Sequence, residues 1–202
     1  TDYDRARALF PTDVLGWVQA TQPTVWETLT KNHGSKAAVT VLDRLRAELN
    51  LRGTLDVLRN GIDLLGLKEP LRLAQFKPSL AMNPDVIARY QANRLRVIRQ
   101  VHYSLNNQNA LDLVLFLNGV PVATVELKTD FTQSVADAIA QYRYDRVPHP
   151  QGQADEPLLS FPNGALVHFA VSNSEVHMTT KLEGGATAFL PFNQGNEGGA
   201  GN

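Results

Sequence analysis

The chain has 202 residues, 43% hydrophobic and 19% charged, with 19 Lys and Arg set against 20 Asp and Glu for a net charge of −1. That apolar share is enough for a sizeable core and excludes global disorder, and no run of about 18 apolar residues is present to span a membrane. Zero cysteines exclude a disulfide framework, thiol catalysis and any zinc site built on sulfur, and the near-neutral charge argues against a general nucleic-acid footprint while leaving room for a local basic groove. No basic and apolar leader opens the chain, which begins at Thr1 and closes on glycine-rich sequence, the look of a segment cut from something longer.

The first third reads as helical. Thr12 is placed to cap a segment running to Ala20, and Thr24 one around Trp26 to Asn32. The clearest helix runs from Lys36 to Leu49, where Val41, Leu42, Leu45 and Leu49 recur at helical spacing. A further helix over Thr54 to Arg59 stops at Asn60-Gly61.

After Pro70 the period changes. The alternation from Leu71 to Phe76 predicts a strand ended by Pro78, and Leu95 to Ser104 a second. Leu111 to Leu117 is almost continuously apolar, as a buried strand is, and Asn118-Gly119 is a strong hairpin signal leading into a partner strand over Val122 to Lys128. A helix begins at Thr132 or Ser134 and runs to Arg146, with Val135, Ala138, Ile139 and Tyr142 on one face. Strands are expected at Gly164–Ser172 and Glu175–Leu182. No internal repeat is visible. Helices followed by a mixed sheet with one inserted helix make a single α/β or α+β domain over 1–193, with a helical part at 1–65, a sheet-based core at 66–193 and a Gly-rich linker at 194–202.

The chemistry concentrates at Asp112, Glu126 and Lys128. Two converging carboxylates suit a hard divalent cation such as Mg²⁺, and a lysine two residues after Glu126 shares its strand face. Such a set supplies what metal-assisted phosphodiester hydrolysis requires: a polarised phosphate, an activated water and a charge stabiliser. Acid-x-Lys is also common as a solvated pair on strands. Here Leu111, Leu113, Val125 and Leu127 flank the acids, a setting in which a carboxylate is seldom incidental. Arg89, Arg94, Arg96 and Arg99 form the densest cationic stretch, either a solvated face or a phosphate-contacting strip.

Several runs carry a more specific signal: Asn93 to Leu95 with Arg99 to Ser104, the whole of Leu111 to Lys128, Ala138 to Arg143, Leu166 to Val171, Met178 to Thr180 and Phe189 to Asn193. Together they resemble the amino-terminal nuclease region of type I restriction enzyme R (motor) subunits. The resemblance implies a restriction-endonuclease-like PD-(D/E)xK core, with Asp112, Glu126 and Lys128 catalytic. Asp112, Glu126 and the carbonyl of Leu127 would be metal ligands for Mg²⁺. It further implies double-stranded DNA as substrate, methyltransferase and specificity subunits as partners, and a cytoplasmic site of action. ATP would enter only through a motor region, since no G-x-x-x-x-G-K-[ST] loop occurs here.

Two departures stand against the family pattern. Its Gln-x-x-x-Tyr element is represented by Gln141 followed by Tyr142 and Tyr144, the latter three residues on. Tyr142 reads as core, whereas Gln141, Tyr144 and the intervening Arg143 are candidates for DNA or active-site support. The acidic residue that similar nucleases carry on an early helix has no evident counterpart. A non-catalytic DNA-binding or docking domain on the same fold is the competing reading.

Counting along the hairpin sets a condition on the site. A regular two-residue turn at Asn118-Gly119 pairs Asp112 with Val125 and points it away from Glu126 and Lys128. A three-residue connection, Asn118 to Val120, pairs Leu117 with Pro121 and Asp112 with Glu126. The site therefore requires a bulged or odd-length connection, with Gly119 at positive φ.

Overall fold

Pro11 and Pro23 each occupy a first helical turn, where the N–H that proline lacks has no intrahelical partner to lose. In the computed structural model, which describes residues 2–80, 82–129, 131 and 133–192, they open α1 (Pro11–Thr21) and α2 (Pro23–His33). The N-caps are thus Phe10 and Gln22, not the expected Thr12 and Thr24, and the Thr12 hydroxyl is given to Asp2. After a short 3₁₀ turn, α3 (Ala37–Arg52) and α4 (Thr54–Asn60) follow, each ended by a glycine at positive φ, Gly53 at 84° and Gly61 at 75°. Their apolar faces enclose Leu29, Leu45, Leu49 and Leu58, and the cluster takes in Leu9 ahead of α1 and Val120 from the sheet. Each fully buried leucine of this kind contributes roughly 1.5–3 kcal/mol.

Leu71–Phe76 does not form the expected strand. Only Leu71 pairs, in a single bridge to Ile62. Side chains take the backbone hydrogen bonds that a neighbouring strand would have taken: Gln22 exchanges two with Arg72, Asn118 donates to the Leu73 carbonyl at 2.9 Å, and Asn93 exchanges two with Gln75. Burial still alternates at Leu71, Arg72 and Leu73, which is the pattern that mimicked a strand. Beyond it lies a helix the periodicity did not announce, α5 (Pro84–Gln91), capped by Asn83 through the N–H groups of Asp85 and Val86.

Six strands form one mixed sheet in the order β1-β2-β3-β4-β5-β6: β1 (Leu95–His102), β2 (Ala110–Leu117), β3 (Val120–Leu127), β4 (Val167–Val171), β5 (Val176–Thr179) and β6 (Leu190–Pro191). All neighbours are antiparallel except β3 and β4, which are parallel and joined by a connection carrying α6 (Val135–Tyr144). Asp137 fixes the start of α6 by accepting the Ser134 N–H at 2.6 Å. The helix packs on β3 and β4, burying Tyr142 against the sheet, while Phe10 meets Phe116 edge-on at 4.8 Å on the same core. The expected linker at 194–202 lies outside the described residues.

The β2–β3 hairpin corrects the expected connection. Its turn has two residues, Asn118 at φ 49° and Gly119 at φ 81°, and Leu117 pairs with Val120, not Pro121. The compensating residue sits farther down. Phe116 pairs with Pro121 but Leu115 with Ala123, so Val122 is an extra residue in β3. From there Leu113 faces Val125, where the ladder ends, and the same register carried one step further brings Asp112 to Glu126, whose carboxyls approach each other. The parity condition is met by a bulge inside the strand instead of a longer loop. Gly119 is forced as well, since a Cβ there would lie 2.4 Å from the Phe10 carbonyl oxygen.

Candidate active site

The end of the β2–β3 ladder is where an acidic side chain replaces a backbone acceptor. Asp112 Oδ2 accepts the Leu127 N–H at 2.8 Å, and its Oδ1 accepts the Gln100 side-chain amide of β1 at 2.9 Å. Glu126 is 1% exposed. Its Oε1 accepts from Arg146 Nε at 2.7 Å, and the same guanidinium donates to the Ala110 carbonyl at 3.0 Å, clasping β2 and β3 together just beyond α6. The Glu126 carboxyl also lies within hydrogen-bonding reach of the Asp112 carboxyl. Lys128 follows β3, half-buried, with its charge acting on Asp112 and its own N–H donating to the Val171 carbonyl at 2.8 Å.

The two acids sit in different electrostatic settings. Burial works against the charged form of Asp112, but the Leu127 N–H, a hydrogen bond shared with Glu126, the Gln100 amide and the Lys128 charge outweigh it and hold the carboxyl below its ordinary range. For Glu126, burial dominates. Arg146 pulls down, Asp112 pushes up, and the group settles at about 7. A pair of carboxyls displaced in opposite directions, with a lysine beside them, is a common feature of sites that handle cations and protons.

The remaining sequence candidates fall around α6. Gln141 is half-buried, and its Oε1 is buried without a partner among the described residues. Tyr144 is exposed near Gly185. Arg143 spends its guanidinium on the Thr187 carbonyl, at 2.8 and 3.1 Å, and so ties α6 to the 183–187 loop. None of the three hydrogen-bonds to Asp112, Glu126 or Lys128 among the described residues. Tyr142, read from the sequence as core, is fully buried and hydrogen-bonds Thr124 Oγ1 at 2.8 Å, with His168 Nδ1 on the same threonine hydroxyl at 2.7 Å.

Two residues at the acids escaped the sequence reading. Arg146 carried a signal, standing four residues after Tyr142 and so in line with the inward face of the helix it follows, where an arginine must find an anion to be buried. Gln100 carried none. Of the four arginines in the cationic stretch, Arg94 and Arg96 are committed to Asp13, at 2.8 and 2.5 Å, and Arg96 also lies over the Phe10 ring. Among the described residues no three His, Asp or Glu side chains converge as a metal cluster. No described helix is long and apolar enough to cross a membrane.

The segment that carries this arrangement, residues 12–187, matches the family model of the type I restriction enzyme R protein N terminus. The chain belongs to that family. No curated protein and no solved structure matches it. The match with the R protein N terminus spans α1 to the 183–187 loop, so Asp112, Glu126, Lys128, Gln100 and Arg146 all lie within it.

Proposed function

We propose that this chain is the Mg²⁺-dependent DNA endonuclease module of a type I restriction enzyme, a PD-(D/E)xK nuclease hydrolysing phosphodiester bonds of double-stranded DNA. The observation that carries the reading is the approach of the Asp112 and Glu126 carboxyls at the end of the β2–β3 ladder, with Lys128 two residues on, in a chain of the R protein family. The donor set fits a hard cation. Asp112 is kept ionised, and Glu126, its carboxyl beside that of Asp112, is poised to lose its proton near neutrality. The Leu127 carbonyl is the third protein ligand by resemblance to similar nucleases.

When bound there, Mg²⁺ would polarise the scissile phosphate and lower the pKa of an attacking water. Asp112 would stay fixed through its bonds to Leu127 and Gln100, so that little reorganisation is needed on binding. Glu126 would hold the cation with the carboxylate oxygen that Arg146 leaves free. Lys128 would orient the water and neutralise charge developing on the phosphate. Arg143 supports the site through its hold on α6, and Gln141 and Tyr144 are placed to steady the helix or meet DNA. Sequence choice would reside in partner methyltransferase and specificity subunits, and ATP would act in a motor region.

Titration of the chain with Mn²⁺ in a calorimeter tests this. Wild type is expected to bind and Asp112→Ala to lose the heat. A wild type that binds no Mn²⁺ overturns the nuclease reading in favour of a docking or DNA-binding domain.

A further inference from the structure

Gln100 has φ 51°, a left-handed conformation that non-glycine residues seldom adopt, in the middle of a strand. Pairing resumes in the same register on either side, Arg99 with Leu113 and Val101 with Leu111, so no residue has been inserted. The rotated residue is the one standing opposite Asp112. It is exposed, and its side-chain amide is aimed at Asp112 Oδ1, 2.9 Å away. The rotation has a second consequence: Ile98 before it and Val101 after it, three residues apart, both pack into the cluster around Phe116, which an unbroken alternation would forbid. The backbone turn therefore serves the core. The amide does not, since any side chain compatible with the turn would leave that packing intact.

We propose that Gln100 is a positioning residue for Asp112: its left-handed backbone directs the amide onto Oδ1 while Leu127 holds Oδ2, which locks the carboxylate in the rotamer that faces Glu126. Like the hydrogen-bonding partners that orient ligands in other metal sites, it acts through the residue it holds. This rests on the metal-site reading of Asp112 and Glu126.

Replacement by glycine separates the two roles, because glycine adopts positive φ without strain and carries no amide. In Mn²⁺ titrations of the full chain, Gln100→Gly is expected to bind about 10-fold or more weakly than wild type, while melting at or above the wild-type temperature. Gln100→Leu, of similar length without the amide, is expected to weaken binding comparably. If Gln100→Gly binds Mn²⁺ as tightly as wild type while Asp112→Ala does not bind, Gln100 has no positioning role and the nuclease reading stands. If wild type binds no Mn²⁺, both fall. Weaker binding in both variants that tracks a lowered melting temperature assigns Gln100 to the fold and also overturns the proposal.

Discussion

Asp112 and Leu127 are joined across the sheet by a side-chain-to-backbone bond of 2.8 Å, at the point where regular pairing of β2 with β3 gives out. The carboxylate thus does a structural task and a charge task with the same group, and a neutral isostere separates them. Asp112→Asn keeps an oxygen to accept the Leu127 N–H, so its unfolding free energy is expected to stay within about 1 kcal/mol of wild type. The negative charge is gone, and the Mn²⁺ heat is expected to go with it. A stable variant that still binds Mn²⁺ normally would remove Asp112 from the metal site.

Arg146 offers a test of the buried pair. Its guanidinium binds Glu126 Oε1 and the Ala110 carbonyl, and its removal leaves Glu126 a buried carboxylate without a cation on it. Arg146→Ala is expected to cost about 3 kcal/mol or more in denaturant unfolding at pH 8. The penalty shrinks at pH 5.5, because Glu126, already pushed up to about 7 by burial, is then protonated and neutral. A cost that does not depend on pH would mean that Arg146 matters through packing alone.

A second pH dependence comes from His168, which is fully buried with Thr124 as its hydroxyl partner. Burial pushes its pKa down from the ordinary 6.5 to about 3. The unfolded chain therefore takes up a proton that the folded chain refuses. The contribution is fully present above pH 6.5 and is lost as pH falls from 6.5 towards 3. Between pH 7.5 and 4.5, wild type is expected to lose more unfolding free energy than His168→Asn, whatever the variant's stability at pH 7.5. Equal losses would contradict a neutral buried imidazole.

Much of this architecture was legible in the sequence, and the failures have definite causes. Helix α3, the hairpin strands and α6 came from periodicity that tertiary contacts reinforce. Leu71–Phe76 showed strand alternation because one of its faces is buried, yet its hydrogen bonds go to the amides of Gln22, Asn93 and Asn118, distant in sequence. The start of α5 was written in Asn83-Pro84, a cap followed by a first-turn proline, but the helix spans only eight residues and buries none of them, so no core contact reinforces its pattern. Asp112, Glu126 and Lys128 stood out as charges in apolar strands. Gln100 could not, because its conformation is set by what the sheet demands on either side of it.

Gly119 links the helical part to the hairpin. Its φ is 81°, and a methyl group on its Cα would lie 2.4 Å from the Phe10 carbonyl oxygen, so there is no room for a side chain. Gly119→Ala is expected to cost about 3 kcal/mol in denaturant unfolding, combining backbone strain with a clash against main chain. A loss under about 1 kcal/mol, within the range of ordinary surface substitutions, would show that the turn and α1 separate easily.

The most direct measurement is DNA cleavage by the complete restriction complex carrying Lys128→Ala, with ATP hydrolysis followed in parallel. Lys128 follows the last residue of β3 and binds Val171 through its main-chain N–H, so the substitution leaves the sheet intact. Cleavage is expected to be lost while ATP hydrolysis persists at the wild-type rate. Unimpaired cleavage would contradict the nuclease assignment.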